Sequence, residues 1–106
     1  MTGSSDASGL DRLVHEPARL TILATLSAVD EADFLFMLGQ TGLTKGNLSS
    51  HVAKLEAAGY VGVNKGFHGK VTRTVLRLLP PGREALAKYR RRMAGILASL
   101  GDRNAP

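Results

Sequence analysis

The chain has 106 residues and a formal net charge of +5. It contains no cysteine, which excludes a disulfide framework, a thiolate metal site and a cysteine nucleophile. Its length and 43% hydrophobic content allow one modest core and leave no room for a second domain. No apolar run approaches the roughly 20 residues of a membrane-spanning helix, and the polar N-terminus lacks the features of a signal peptide. We therefore expect a cytoplasmic protein with no membrane partner.

Acidic and basic residues are unevenly distributed along the chain. Most acidic residues come early, at Asp6, Asp11, Glu16, Asp30, Glu31 and Asp33. The later part carries the basic residues Lys65, Lys70, Arg73, Arg77, Arg83 and the cluster 90–92. This excess of positive charge is compatible with a polyanionic partner. Runs of charge are usually solvated faces, however, so basicity alone does not identify one.

The first predicted elements are two helical pieces. Residues 1–8 and 101–106 are expected to be disordered tails around a domain of residues 9–100. Leu10, Leu13 and Val14 predict a short helical piece, and Pro17 suits the first turn of a second helix that ends near Ala28. The predicted inward stripe of this second helix contains Arg19 through its stem, Ile22, Leu23, Leu26 and Val29, widened by Leu20 and Ala24.

A turn and a short helix follow. Residues 30–33 are predicted to form the turn, and Asp33 can cap the helix. That helix carries Phe34, Met37, Leu38 and Thr41 on one face. All of residues 34–38 are apolar, which is more than a half-buried helix needs, so we expect burial on a second side by another helix or another chain.

Residues 44–58 predict an amphipathic helix, here called the reading helix. Thr44 can cap it, Leu48, Val52 and Leu55 recur at buried spacing, and Gly59 stops it. His51 flanks the buried stripe and is interpreted as a hydrogen-bonded helix histidine. Its outward face carries small polar and basic groups, which is typical of a helix that enters the major groove of DNA. The residues of this helix predicted to contact DNA are Thr44, Lys45, Gly46, Asn47, Ser49, Ser50 and Lys54.

The segment of residues 61–78 predicts an antiparallel hairpin, here called the wing. Valines alternate with other residues after position 60, residues 71–78 are rich in β-branched side chains, and residues 66–69 contain two glycines that fit the hairpin tip. Phe67 at this tip is expected to fold back onto the strands. The wing residues predicted to contact DNA are Lys65, His68, Lys70 and Arg73.

A final helix is predicted over residues 82–100. Its apolar residues recur at alternating intervals of three and four residues and form a narrow seam. Helices commonly pack against each other along such a seam. The seam could pack on its own domain, but so long a helix would extend beyond a small core, and we therefore predict a dimer interface. The residues of this predicted interface are Leu86, Tyr89, Met93, Ile96 and Leu100.

This order of elements resembles the winged helix-turn-helix transcriptional regulators of bacteria and archaea. It is most similar to the small stand-alone regulators related to the MarR and ArsR groups. The resemblance covers about residues 10–93 and is carried by four segments: 10–20 (LDRLVHEPARL), 42–51 (GLTKGNLSSH), 54–61 (KLEAAGYV) and 79–83 (LPPGR). Leu79 stands where the pattern usually has threonine, and residues 34–38 are more apolar than usual.

The resemblance implies a mainly α fold with a small β-hairpin (α+β) and a long C-terminal dimerisation helix. It also implies a homodimer that binds double-stranded DNA and regulates transcription, with the reading helix in the major groove. In that groove Asn47 could pair with adenine and Lys45 could reach a phosphate. The wing would contact the backbone or the minor groove.

Other functions have less support in the sequence. Three scattered histidines predict no metal site, and no cofactor is expected. The absence of a nucleophile elbow or facing carboxylates argues against an enzyme. A winged-helix module that binds a protein through residues 34–38 and the last helix is the main alternative. Double-stranded RNA is a weaker one, because its grooves do not admit a helix. The sequence does not identify a small-molecule effector. If one binds, its pocket is expected among the short helix, the reading helix and the last helix.

Overall fold

A computed structural model describes residues 9–103, and within them the chain forms four helices and three strands. In chain order these are α1 (Pro17–Val29), β1 (Glu31–Asp33), α2 (Phe34–Thr41), α3 (Lys45–Ala57), β2 (Val61–His68), β3 (Val71–Leu78) and α4 (Pro80–Arg103). The strands form one antiparallel sheet in the order β1-β3-β2. This is the predicted α+β winged helix architecture. The predicted tail at residues 1–8 lies outside the described residues, as do residues 104–106 of the tail predicted at 101–106. Residues 101–103 were predicted as part of that tail but belong to α4, because the helix continues past Leu100.

Helix α1 begins where the sequence predicted. Pro17 occupies its first turn, and the Glu16 carboxylate accepts a hydrogen bond from the backbone N–H of Arg19 at 2.7 Å. The helix ends at Val29, since Asp30 adopts a positive φ of 68°. Val29 is exposed, contrary to the prediction, because the last residue of the helix projects beyond the core. The fully buried residues of α1 are Ile22, Leu23 and Leu26.

The segment before α1 is a turn, and the prediction of a short helix there is wrong. The Asp11 carboxylate accepts a hydrogen bond from the backbone N–H of Leu13 at 2.9 Å. This short-range bond favours a turn over a continued helix. Leu10 and Val14 are nonetheless buried, so the apolar pattern correctly identified core residues.

Residues 31–33 were predicted as part of a turn, but they form β1. Ala32 pairs with Leu76 and Asp33 pairs with Val75, so β1 adds an edge strand to the hairpin. A strand of three residues is too short to show alternation. Its pairing depends on β3, a partner far along the chain.

Helices α2 and α3 form the predicted helix-turn-helix. Asp33 caps α2 by accepting a hydrogen bond from a first-turn amide, and Gly42 ends that helix with a positive φ of 71°. Thr44 caps α3 by accepting from the backbone N–H of Asn47 at 3.1 Å. Gly59, with φ 79°, follows the end of α3. The buried residues of α3 are the predicted Leu48, Val52 and Leu55.

The wing spans the predicted residues 61–78, but its first strand is longer and its tip is shorter than predicted. His68 pairs with Val71, so Gly69 and Lys70 form the tip, and the predicted link at residues 66–69 belongs mostly to β2. Gly69 has a positive φ of 67°, which suits a two-residue hairpin loop. Phe67 is 77% exposed and does not fold back onto the strands, which corrects that prediction.

Helix α4 is longer at both ends than the predicted range of residues 82–100. It begins at Pro80 without a polar capping side chain at Leu79, whose carbonyl accepts from the backbone N–H of Arg83 at 3.0 Å. Pro80 and Pro81 carry no amide hydrogen, so the first turn has fewer donors to satisfy. Among the helices within residues 9–103, none has the length and apolarity that a bilayer crossing requires.

Candidate nucleic-acid interface

The outer face of α3 is open to solvent and free of acidic side chains until Glu56. Its buried stripe packs on the core, so the opposite side is forced outward. The structure places every predicted contact residue of this helix in the exposed class, namely Thr44, Lys45, Gly46, Asn47, Ser49, Ser50 and Lys54. The face thus offers amide, hydroxyl and ammonium groups without a large side chain to block close approach.

The flank of α3 is fixed to α1 by polar contacts. Arg19 Nη1 lies 3.1 Å from His51 Nδ1, and Arg19 Nε donates to the carbonyl of Leu13 at 2.6 Å. A Glu16 carboxylate oxygen lies 4.0 Å from the same imidazole nitrogen. His51 is therefore a hydrogen-bonded helix histidine, as the sequence predicted. The contact between the Arg19 guanidinium and His51 was not predicted, because the sequence pattern placed only the apolar stem of Arg19, in the inward stripe of α1.

A second polar contact secures the chain just after α3. The hydroxyl of Tyr60 donates to the Asp11 carboxylate at 2.6 Å, and the tyrosine is almost fully buried. Burial, followed by the hydrogen bond and the negative charge of Asp11, raises the pKa of Tyr60 well above its usual range. The neutral phenol is thus strongly preferred at this position.

The wing residues predicted to contact DNA are divided between two faces of the hairpin. Lys65 lies opposite Thr74 and lines a cleft of about 370 Å³ beside α3. His68 and Arg73 belong to the other face by alternation, and Lys70 is at the tip. Arg73 Nε lies 3.6 Å from an Asp33 carboxylate oxygen, so this cation is held near the start of α2. All four wing residues predicted to contact DNA are exposed, but they do not form one surface.

The predicted dimer seam is divided between the protomer core and its surface. Leu86 and Tyr89 are buried within the single chain, and the hydroxyl of Tyr89 lies 2.8 Å from Nδ1 of His15. Met93 and Ile96 are half-buried against the same core, while Leu100 is exposed. The later part of the seam is thus more exposed than the earlier part.

A groove of about 720 Å³ runs between α1 and α4 on the surface beside this seam. Small and apolar residues line it, including Ala24 of α1, and its most exposed large apolar side chain is Leu97, at 59%. Arg90 and Arg91 also line this groove. The sequence did not identify the groove, since its two walls come from helices that are far apart along the chain.

Comparison with known proteins places this architecture in a family. A family model described as a winged helix DNA-binding domain matches residues 18–97. The chain belongs to this family. An uncharacterized protein of Methanocaldococcus jannaschii is 30% identical to this winged helix protein over 78 residues, which cover 74% of this chain and 85% of that protein.

Solved structures share the winged helix fold. A transcriptional regulator homologue from Pyrococcus horikoshii is similar with a TM-score of 0.80 and 28% identity, covering 84% of this chain and 88% of that chain. NadR in complex with 4-hydroxyphenylacetate has a TM-score of 0.65 and 16% identity, with coverages of 89% and 69%. A MarR family regulator from Silicibacter pomeroyi has a TM-score of 0.63 and 21% identity, with coverages of 90% and 63%. This winged helix protein is a DNA-binding transcriptional regulator, as its sequence predicted.

Proposed function

We propose that this winged helix protein regulates transcription as a homodimer that binds double-stranded DNA sequence-specifically. The observation that carries this proposal is the outer face of α3, which is exposed, non-acidic over its first two turns and built on a fully buried stripe. A helix of this kind fits the major groove, where each base pair presents a distinct edge. Such a regulator would act in the cytoplasm, on the DNA of its own cell.

Within the proposed complex, two sets of residues have different roles. Asn47 can pair with the edge of an adenine, while Ser49, Ser50 and Lys54 can contact bases or phosphates. Lys45, in the first turn of α3, would bind a phosphate with the help of the helix amides. The remaining contacts would come from the wing, through Lys65, His68, Lys70 and Arg73.

The homodimer is proposed to form along the α1–α4 groove and the exposed part of α4. The groove offers Leu97 and small residues for close packing, and Met93 and Ile96 continue the apolar strip. Leu86 and Tyr89 support this surface from inside the protomer. Two copies related by a twofold axis would present their reading helices to half-sites about 34 Å apart.

Selection of bound sequences from random DNA, followed by titration, tests this proposal. Replacing Asn47 by Ala is expected to cost about 1 to 3 kcal/mol at one base position and to relax preference there. Replacing Lys70 by Ala is expected to weaken binding to all sequences and to reduce the slope of log affinity against log salt by about 0.9. Unchanged sequence preference in the Asn47→Ala protein would reject that assignment.

A protein-binding module with little DNA affinity is the second candidate. It is favoured by the exposure of Leu35, at 71%, and of Phe36 on the outer side of α2, which the protomer leaves uncovered. Gel retardation with the intergenic DNA beside the protein's own gene, at two salt concentrations, separates the two functions. Retardation at low salt supports DNA binding, and its absence favours the protein-partner function.

A further inference from the structure

The contact between α1 and the reading helix determines which nitrogen of His51 carries the proton. Arg19 Nη1 lies 3.1 Å from His51 Nδ1. A guanidinium only donates hydrogen bonds and remains protonated in proteins, so Nδ1 must accept. The hydrogen bond therefore selects the neutral tautomer with its proton on Nε2, in the way that a second partner fixes many functional histidines.

The Nε2–H group of His51 has no protein acceptor within residues 9–103. The imidazole contacts in this part of the chain involve Nδ1, with Arg19 and Glu16. No buried side-chain nitrogen or oxygen among the described residues lacks a hydrogen-bond partner. Nε2 must therefore reach solvent, which agrees with the 20% exposure of the side chain.

The position of this donor is shared with two proposed DNA contacts. His51 follows Asn47 by four residues and precedes Lys54 by three, so the three side chains form one stripe along α3. Asn47 and Lys54 are exposed, while His51 is half-buried at the edge of the face. A short, restrained side chain at this edge suits the sugar-phosphate backbone better than the base edges at the centre of the groove.

We propose that His51 is a DNA-contacting residue that donates a hydrogen bond from Nε2–H to a phosphate oxygen, and that Arg19 is the positioning residue that holds its tautomer and ring. This proposal rests on the proposed function, and it adds a neutral backbone contact that the sequence had not assigned. Because the His51 donor is already oriented before binding, less side-chain conformational entropy is lost when the complex forms.

The tautomer can be tested without DNA. Long-range ¹H–¹⁵N spectra of the imidazole groups, recorded at about pH 8.5, distinguish a protonated Nε2 from a protonated Nδ1. The wild-type protein is expected to show His51 almost entirely with its proton on Nε2. The Arg19→Met variant retains an unbranched side chain, and its His51 is expected to lose this fixed tautomer. A protonated Nδ1 in the wild-type protein would overturn the proposal.

Binding measurements test the phosphate contact. Glutamine places an N–H donor near the position of Nε2, whereas asparagine places its amide near Nδ1. His51→Gln is therefore expected to bind DNA within about threefold of the wild type. His51→Asn is expected to lose about tenfold, or about 1.4 kcal/mol. The loss should be similar for all DNA sequences, and the salt slope should stay unchanged because a neutral donor neutralises no phosphate.

Several outcomes distinguish the possible failures. If wild-type protein does not bind DNA, the proposed function fails, whatever the tautomer. If wild-type protein binds and His51→Asn binds equally well, or loses affinity at only one base position, the phosphate contact is wrong. Arg19→Met should weaken binding in the His51 protein and have much less effect in the His51→Gln background. If Arg19→Met lowers DNA affinity equally in both backgrounds, Arg19 has a purely structural role and does not position His51. Thermal melting of each variant checks that the variant is folded.

Discussion

Polar side chains hold the segment of residues 10–16 against three separate parts of the molecule. Asp11 accepts from Tyr60 after the reading helix, and His15 lies within hydrogen-bond distance of Tyr89 on α4. Glu16 caps α1 and lies near His51. Hydrogen bonds to charged groups that are partly removed from water contribute more than exposed ones. A short turn can therefore fix the reading helix relative to α1 and α4.

The raised pKa of Tyr60 predicts a specific dependence of stability on alkaline pH. In the unfolded chain the phenol ionises near its ordinary value of about 10, while the folded state keeps it neutral. The unfolded state then binds fewer protons, so stability falls as the pH rises above about 10, by at most about 1.4 kcal/mol per unit for one group. Urea unfolding of the wild type and of Tyr60→Phe between pH 9 and about 11 measures this effect.

The Tyr60→Phe variant provides the internal reference for that experiment. Below pH 10 it should be less stable by roughly 1 kcal/mol, because the hydrogen bond to Asp11 is lost. The stability difference between the two proteins should shrink as the pH rises, since only the wild type contains this phenol. A difference that stays constant up to pH 11 would show that the pKa of Tyr60 is not raised by folding.

At the scale of elements, the start of α4 lies against the start of β2. Leu79 donates its backbone N–H to the carbonyl of Tyr60 at 3.0 Å. A Cβ atom on Gly82 would overlap the same carbonyl oxygen, and a neighbour that is backbone cannot easily move. This close approach positions the long helix directly after the sheet. Position 82 therefore requires glycine because any side chain would clash with the backbone of Tyr60, and not because of its φ angle.

Replacing Gly82 by Ala is predicted to destabilise the protein by about 3 kcal/mol, because overpacking here displaces backbone. Gly95 in the same helix is the matched control, since a Cβ at that position would meet no neighbouring atom within 4 Å. Gly95→Ala should stabilise the protein by about 0.5 to 1 kcal/mol through helix propensity. Chemical unfolding of both variants at one protein concentration measures these changes. Equal stabilities would contradict the inferred contact.

At the scale of the whole molecule, α4 gives the protomer an elongated form. The principal extents are 63 × 30 × 22 Å, and the later turns of α4 carry the exposed Leu97 beside the α1–α4 groove. A second copy packed along this groove would cover apolar surface that the protomer leaves in water. The separation of the two reading helices would then depend on how the α4 helices cross.

Replacing Leu97 by Glu is predicted to weaken the proposed homodimer by about 100-fold, or about 2.7 kcal/mol, because a charge would enter its apolar surface. Leu35→Glu is the matched control, since Leu35 is at least as exposed but lies on α2. Sedimentation equilibrium measures the dissociation constant of the homodimer for both variants. Dissociation by Leu35→Glu and not by Leu97→Glu would place the interface on α2. A wild-type protein that sediments as a monomer at all concentrations would reject the homodimer.

The sequence by itself determined the features that depend on neighbours within a few residues. The caps at Asp33 and Thr44, the buried stripe of α3 and the exposed set around Asn47 follow from side-chain chemistry and helical spacing. The predicted order of elements led to the family resemblance, and the comparisons confirm the winged helix family. The predicted DNA and dimer contacts were placed on the structure but remain predictions.

Only the tertiary structure decided the features that join distant parts of the chain. The pairing of β1 with β3, the contact of Arg19 with His51 and the burial of Leu86 within the protomer all depend on which surfaces meet after folding. Local patterns cannot specify such contacts, because a three-residue strand or a single polar side chain has many compatible partners. The choice among those partners is made by packing of the whole core, and local sequence carries little information about it.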